Sequence, residues 1–243
     1  MTANGGAMFR YDTHVHTKET SRCGHLTAEQ IVKKYIELGY DGICITDHLH
    51  QEYIDTLDTK QWYSIADAYL AGYRTAKEWG DRLGLSVILG VEIRFPESER
   101  DYLLYGVDEM FLYRHPFLYD TTPQAFYGTF CDEVLIIQAH PFRNYEFIHE
   151  GCIHGLEIVN GNPRHANRND RALQYALDNP DLFRLCGSDT HRIGDEGQNA
   201  LLSCAPIHDS FVLRDTILRR DYSLWSKNEK DIILAGCKNI GKC

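Results

Sequence analysis

No apolar run in the 243-residue sequence approaches the roughly 20 residues that a membrane span requires. The start, residues 1–9, lacks a basic stretch followed by an apolar one, so no secretory signal is expected. Long basic runs are missing, and the formal net charge of −10 disfavours a broad nucleic-acid-binding face. Small anionic substrates stay open, because metal ions can reverse the sign of the field inside a cleft. Eight cysteines are scattered without a C-x-x-C pair, which in a chain this long reads as reduced thiols and a cytoplasmic location. A G-x-S-x-G elbow and a Walker motif are both absent, so neither a serine nucleophile nor a nucleotide loop is on offer. Internal repeats, low-complexity tracts and linkers are lacking too, which favours one domain over 8–243 behind a flexible leader at 1–7.

What is present alternates between strand-like and helix-like stretches from end to end, the pattern of a parallel sheet or barrel. "FRYDTHVHT" has period two, and "TAEQIVKKYIELGY" reads as an amphipathic helix with Thr27 and Gln30 in a capping box and Gly39 at its end. "GICITDH" is a β-branched strand, "QWYSIADAYLAGYRTAKEWGDRLG" one long helix, and "LSVILGVEIRF" the next strand. "DYLLYGV", "EVLIIQAHPF", "HGLEIVNG" and "LFRLCGSDTH" are further strands, with helices at "NRNDRALQYALDN" and "SFVLRDTILRRDY".

Histidines and carboxylates collect at the ends of these strands. His14 and His16 are spaced i, i+2 and so share one face of a strand, where two imidazoles can reach one metal ion. Asp47 and His48, Glu92, His140, and Asp189 with His191 sit at or near four later strand ends. In β/α barrels such ends face a common mouth. Each piece also has a plain reading: an ordinary half-buried strand for H-x-H, a helix cap for Asp47, an ion pair with Arg94 for Glu92. Together they supply the N/O donor mixture that Zn, Mn or Fe takes, and a central carboxylate can bridge two ions.

The ordered set H-x-H, T-D-H, G-x-E, H-P, S-D-x-H resembles the PHP (polymerase and histidinol phosphatase) family, from Asp12 to about Ala205. The resemblance implies a distorted seven-stranded (β/α)7 barrel, a PHP domain over 8–243, and a phosphoesterase site with two or three divalent ions (Zn, Mn or Fe). It assigns His14, His16, Glu92 and Asp189 to one ion, and Glu92 with His140 to a second. A third would take His48 and His191, with His25 as remaining ligand, since "CGH" at 23–25 is similar to the histidinol-phosphatase branch. Many relatives carry a histidine on the strand that here reads "DYLLYGV"; Asp101 is the expected substitute, ahead of His115.

Asp47 is expected to orient a ligating imidazole through its other ring nitrogen, with helix capping as the alternative. Arg143 is the first candidate for gripping a phosphate bidentately and Arg94 the second, against solvent-facing salt bridges. Glu157 and Asn160 are expected in the site wall. The implied activity is hydrolysis of small phosphomonoesters by a metal-bound hydroxide at a di- or trinuclear centre. The alternatives are an amidohydrolase-type hydrolase, a nuclease acting on oligonucleotide ends, and an inactive metal-binding module. A small phosphorylated substrate is the expected partner; extended nucleic acid and membranes are not.

Overall fold

The computed structural model describes residues 8–96, 98–144 and 147–228. The expected leader at 1–7 lies outside them, as does the end of the expected domain. The opening stretch forms β1 (Phe9–Val15), and α1 (Ala28–Glu37) follows with Thr27 and Gln30 in the capping box. Gly39, at φ +72°, turns the chain as only glycine does readily. Next come β2 (Gly42–Ile45), the two-residue β3 (His48–Leu49) and the short α2 (Gln51–Ile54).

The long helix expected next is two helices, α3 (Trp62–Tyr69) and α4 (Ala71–Leu83). At the break the Thr20 hydroxyl donates to the Tyr69 carbonyl and accepts from Gly72 N–H, taking over backbone groups that helix would use. A Cβ at Gly72 would stand 2.0 Å from Thr17 Oγ1 and 2.7 Å from Asp47 Oδ2, so glycine is required there. "LSVILGVEIRF" also divides, into β4 (Ser86–Leu89) and β5 (Val91–Arg94), at Gly90.

The remaining elements are β6 (Asp101–Tyr105), α5 (Glu109–Arg114), α6 (Pro123–Phe130), β7 (Leu135–Gln138), β8 (Gly155–Asn160), α7 (Asn169–Asp178) and β9 (Phe183–Gly187). Then come β10 (Asn199–Ser203), α8 (Ser210–Leu218) and β11 (Tyr222–Ser226). Strands β10 and β11 were not expected from the sequence.

The strands make two sheets, β11-β10-β1-β2-β4 and β3-β5-β6-β7-β8-β9. The fold is mixed α/β with parallel pairs, but no closed seven-stranded ring exists among the described residues. The short link between β5 and β6 makes that pair antiparallel, and β6 with β7, β10 with β11 and β10 with β1 are antiparallel too, where a (β/α)7 barrel would be parallel throughout. The two sheets meet along a seam where Val15 bridges Thr190 and the Thr13 hydroxyl donates to the Cys186 carbonyl. Buried Asp12 ties the same seam, accepting from Ser188 N–H, His14 N–H and the Tyr35 hydroxyl.

One apolar cluster spans both sheets, and a second joins α1 and α4 to the first sheet through Ile31, Tyr35, Ala76 and Val87. No described helix is long and apolar enough to cross a membrane. Cys23, Cys44, Cys131, Cys152 and Cys186 are free thiols, whereas Cys204 is disulfide-bonded, a departure from thiols throughout. Linear scatter does not reveal which cysteines folding brings within bridging distance.

Candidate metal centre

β1 carries His14 and, one residue past its end, His16 into the seam, where both side chains are fully buried. β5 brings Glu92 to face them: Oε1 lies 3.4 Å from His14 Nε2 and Oε2 lies 3.3 Å from His16 Nε2. The turn after β9 supplies Asp189, whose Oδ1 is 3.6 Å and 3.4 Å from the same two nitrogens. His48 sits opposite Glu92 in the β3–β5 register, with Nδ1 2.8 Å from Glu92 Oε2. His140 Nε2, after β7, is 3.1 Å from Glu92 Oε1 and 3.7 Å from Asp101 Oδ2.

Donor atoms from three sets of residues lie within 4.8 Å of one another: His14, His16 and Glu92; His48, Glu92 and Asp101; His16, His48 and His191. Glu92 is thus common to two sets, as a bridging carboxylate must be. His14 Nε2, His16 Nε2, His48 Nδ1 and Glu92 Oε2 are buried yet have no hydrogen-bond partner. Each such atom costs about 1–3 kcal/mol unless something satisfies it. Four around one point fit a divalent metal centre, whose ions those atoms would hold.

In His14, His16 and His191 the opposite ring nitrogen is engaged, which leaves the other one for ligation. His14 Nδ1 is 2.9 Å from Glu157 Oε1, and Glu157 Oε2 accepts from His140 N–H and Asn160 Nδ2. His16 Nδ1 is 3.3 Å from Ser21 Oγ, while the Ser21 hydroxyl donates to Asp47 Oδ1 at 2.6 Å. Asp47 therefore reaches the imidazole through Ser21, not directly, and is anchored by Thr17 N–H and the Thr17 hydroxyl. Burial pushes the Asp47 carboxyl up to about 6, against the lowering by those hydrogen bonds. His191 Nδ1 pairs with the Asp189 carbonyl at 3.0 Å.

Burial raises the carboxyls of Glu92 and Asp189, but His14 beside both, with His48 beside Glu92, holds them well below the usual range. Burial and the neighbouring His191 and His48 keep His16 well below its ordinary value, so it is neutral and ready to ligate. His14 goes the other way: burial lowers it, but Glu157, Glu92 and Asp189 together carry it well above.

Asp101 is gripped by Arg94 through two hydrogen bonds, of 2.8 and 3.1 Å. Arg143 is fixed by Asn167, Asn160 and Asp189 at 2.8, 2.9 and 2.5 Å. His115 packs between Phe111 and Phe130, outside the donor sets. His25 is exposed and also outside them; only its backbone N–H reaches the site, donating to the His191 carbonyl. Ser21 was not singled out by the sequence, although it stands five residues after His16 in the same quoted stretch. A cavity of about 320 Å³ opens over the cluster, and Arg94, Arg100, Arg143, Arg164 and Arg192 are in its wall.

The family model of the PHP domain matches residues 12–201. The chain belongs to the PHP domain family. Among solved structures, this PHP domain is similar to a two-domain protein from Bacteroides vulgatus containing a predicted PHP-like metal-dependent phosphoesterase, at 17% identity and TM-score 0.66. That match covers 92% of this chain and 66% of the other, so the chain spans just under two thirds of that protein. PsfC from Pseudomonas syringae is similar at 15% identity and TM-score 0.62, with 91% and 93% covered. An amidohydrolase from Chromobacterium violaceum with bound sulfate and no metal is similar at 14% and 0.52, with 89% and 97% covered. At these identities the likeness is one of fold. No curated protein matches the chain. The His, Glu and Asp clusters of this PHP domain are of the kind that binds divalent metal ions.

Proposed function

We propose that the chain is a metal-dependent phosphatase of small phosphomonoesters, with histidinol phosphate, sugar phosphates and nucleotides as the substrates to try first. The observation that carries this reading is the group of four unpartnered buried donor atoms beneath a cavity walled by five arginines. When bound, divalent ions would supply Lewis acidity and an activated water. His14, His16, Glu92 and Asp189 would hold one ion, Glu92, His140 and Asp101 a second, and His48 and His191 a third. Glu157 and the Asp47–Ser21 pair set the rings of His14 and His16 so that Nε2 points inward. Arg143, already immobilised by two asparagines, receives the phosphoryl oxygens with little further loss of freedom.

Charge supports the substrate class. Two or three ions bring about four to six positive charges, and Glu92, Asp189 and Asp101 return three, which leaves the inner site positive by at least about one. Outside it, a chain of net charge −10 repels a long polyanion but tolerates one or two phosphates. The amidohydrolase alternative commonly bridges its metals with a modified lysine, and no lysine lines the described cavity.

The test is a panel of phosphomonoesters, amides, lactones and oligonucleotides with the protein loaded in turn with Mn, Zn and Fe. Small esters are expected to turn over fastest, with a rate that changes less than about tenfold between 50 and 200 mM salt. A protein making 6–10 phosphate contacts loses about 10³–10⁵ in affinity over that range. Strongly salt-sensitive cleavage of oligonucleotides, with poor turnover of small esters, would replace this reading by the nuclease. A metal-replete protein inert on every ester would replace it by the binding module.

A second expectation concerns Asp101. Asp101→Ala should lower the metal content by one ion per chain in elemental analysis, while His115→Ala leaves it unchanged. An Asp101→Ala protein with full metal content would remove Asp101 from the site.

A further inference from the structure

In the set His16, His48 and His191, His16 also faces the position that His14 and Asp189 share, and His25, the expected remaining ligand, is exposed and outside the set, so this position has room for a further protein donor. The chain between His16 and His25 is folded tightly over this spot. Ser21 N–H donates to the Thr17 carbonyl, Gly24 N–H to the Ser21 carbonyl and His25 N–H to the His191 carbonyl, at 2.9, 2.8 and 2.7 Å. A Cβ at Gly24 would lie 2.7 Å from the Thr17 carbonyl oxygen, so the turn closes only around glycine. This geometry leaves the His25 ring outside the cavity and puts Cys23, although partly open to solvent, in the cavity wall together with His48 and His191. Independently of Cys23, His16 Nε2 is fully buried without a hydrogen-bond partner and belongs to the same donor set as His48 and His191.

We propose that the Cys23 sulfur, and not His25, completes the donor set of His48 and His191, making that position selective for a thiophilic divalent ion. A thiolate with two imidazoles prefers Zn²⁺, Co²⁺ or Fe²⁺ to the harder Mn²⁺ or Mg²⁺. The remaining positions of the cluster, built from carboxylate and imidazole alone, lack that preference. The centre is therefore chemically uneven, with one soft position at its edge and harder ones within. This inference rests on the cluster being a metal site, but not on the choice of substrate.

The test uses Co²⁺ alone as probe, with the full chain as wild type, Cys23→Ser and His25→Ala. Wild type is expected to show a sulfur-to-cobalt charge-transfer band in the near ultraviolet as Co²⁺ is added. Cys23→Ser should lose that band and, when loaded with zinc, carry one ion fewer per chain. Its Zn²⁺ affinity at this position should fall at least about 100-fold, beyond the 10–100-fold cost of losing an outer-sphere partner. His25→Ala should keep both band and ion. Thermal melting of the metal-free proteins separates loss of a ligand from loss of folding. Cobalt binding with no sulfur band in wild type would overturn the assignment, as would a band that persists in Cys23→Ser or an ion lost in His25→Ala. Failure of wild type to bind cobalt at all would overturn the metal reading of the whole cluster as well.

Discussion

Alanine at His14 or at Asp189 is expected to abolish hydrolysis and to lower the metal content together. Both residues face Glu92 in one buried group, with Asp189 Oδ1 3.6 Å from His14 Nε2, so each would hold the same ion. Losing a single preorganised electrostatic partner of a transition state costs about 10²–10³ in rate. Losing an ion removes more, and kcat/KM should fall by at least about a thousandfold. Glu157→Gln gives a graded comparison, because it only weakens the partner that orients His14. It should cost about 10–100-fold in metal affinity or activity. Elemental analysis beside steady-state kinetics on one small ester reads both quantities. Full activity and full metal content in His14→Ala or Asp189→Ala would sink the assignment.

Chelation should lower the melting temperature as well as the activity. An ion present at 100–1,000 times its dissociation constant stabilises the native state by about 2.7–4.1 kcal/mol, provided the unfolded chain binds none. For a domain of about this size each kcal/mol is worth about 2–4 °C, so the loss comes to roughly 5–15 °C. The metal-free protein keeps its buried donors but leaves four atoms unsatisfied, which works in the same direction. Differential scanning calorimetry before chelation, after it, and after metal is restored would measure the effect. An unchanged melting temperature after verified removal would show that the fold does not depend on the ions.

The ligand candidates were legible because strand periodicity and chemistry coincide. His14 and His16 share a face, and Glu92, His140, Asp189 and His191 are polar residues at the ends of apolar strands, where burial alone would not put them. What could not be read depends on the chain meeting itself. The Ser21 relay to Asp47 joins a turn after β1 to the end of β2, and Glu157 reaches His14 from a strand more than a hundred residues away. The divided helix and the divided strand follow from Thr20 at one break and from the passage between two sheets at the other, neither of which has a local signature. β10 and β11 escaped because "NALLS" and "YSLWS" are short and weakly apolar; their identity as strands comes from pairing with each other and with β1. His25, outside the cavity, and Cys23, in its wall, differ by two positions, a distinction set by one tight turn at Gly24.

The seam between the sheets has a kinetic consequence. His14 and His16 come from the five-stranded sheet, whereas His48, Glu92 and the residues following β7 and β9 come from the six-stranded one. An ion among them is a clasp between two halves of the molecule, held from both sides. Ligands drawn from both halves would hold an ion only while the two sheets keep their spacing, so opening of the seam would loosen it. The hydrogen bonds that resist that opening, such as Ser188 N–H to Asp12 and the one between the Tyr35 and Thr190 hydroxyls, use none of the donor atoms of the cluster yet would govern how long an ion stays. Residence time and equilibrium affinity therefore become separate properties of the protein. The first is written in the packing of β1 against β9, the second in the donor atoms themselves.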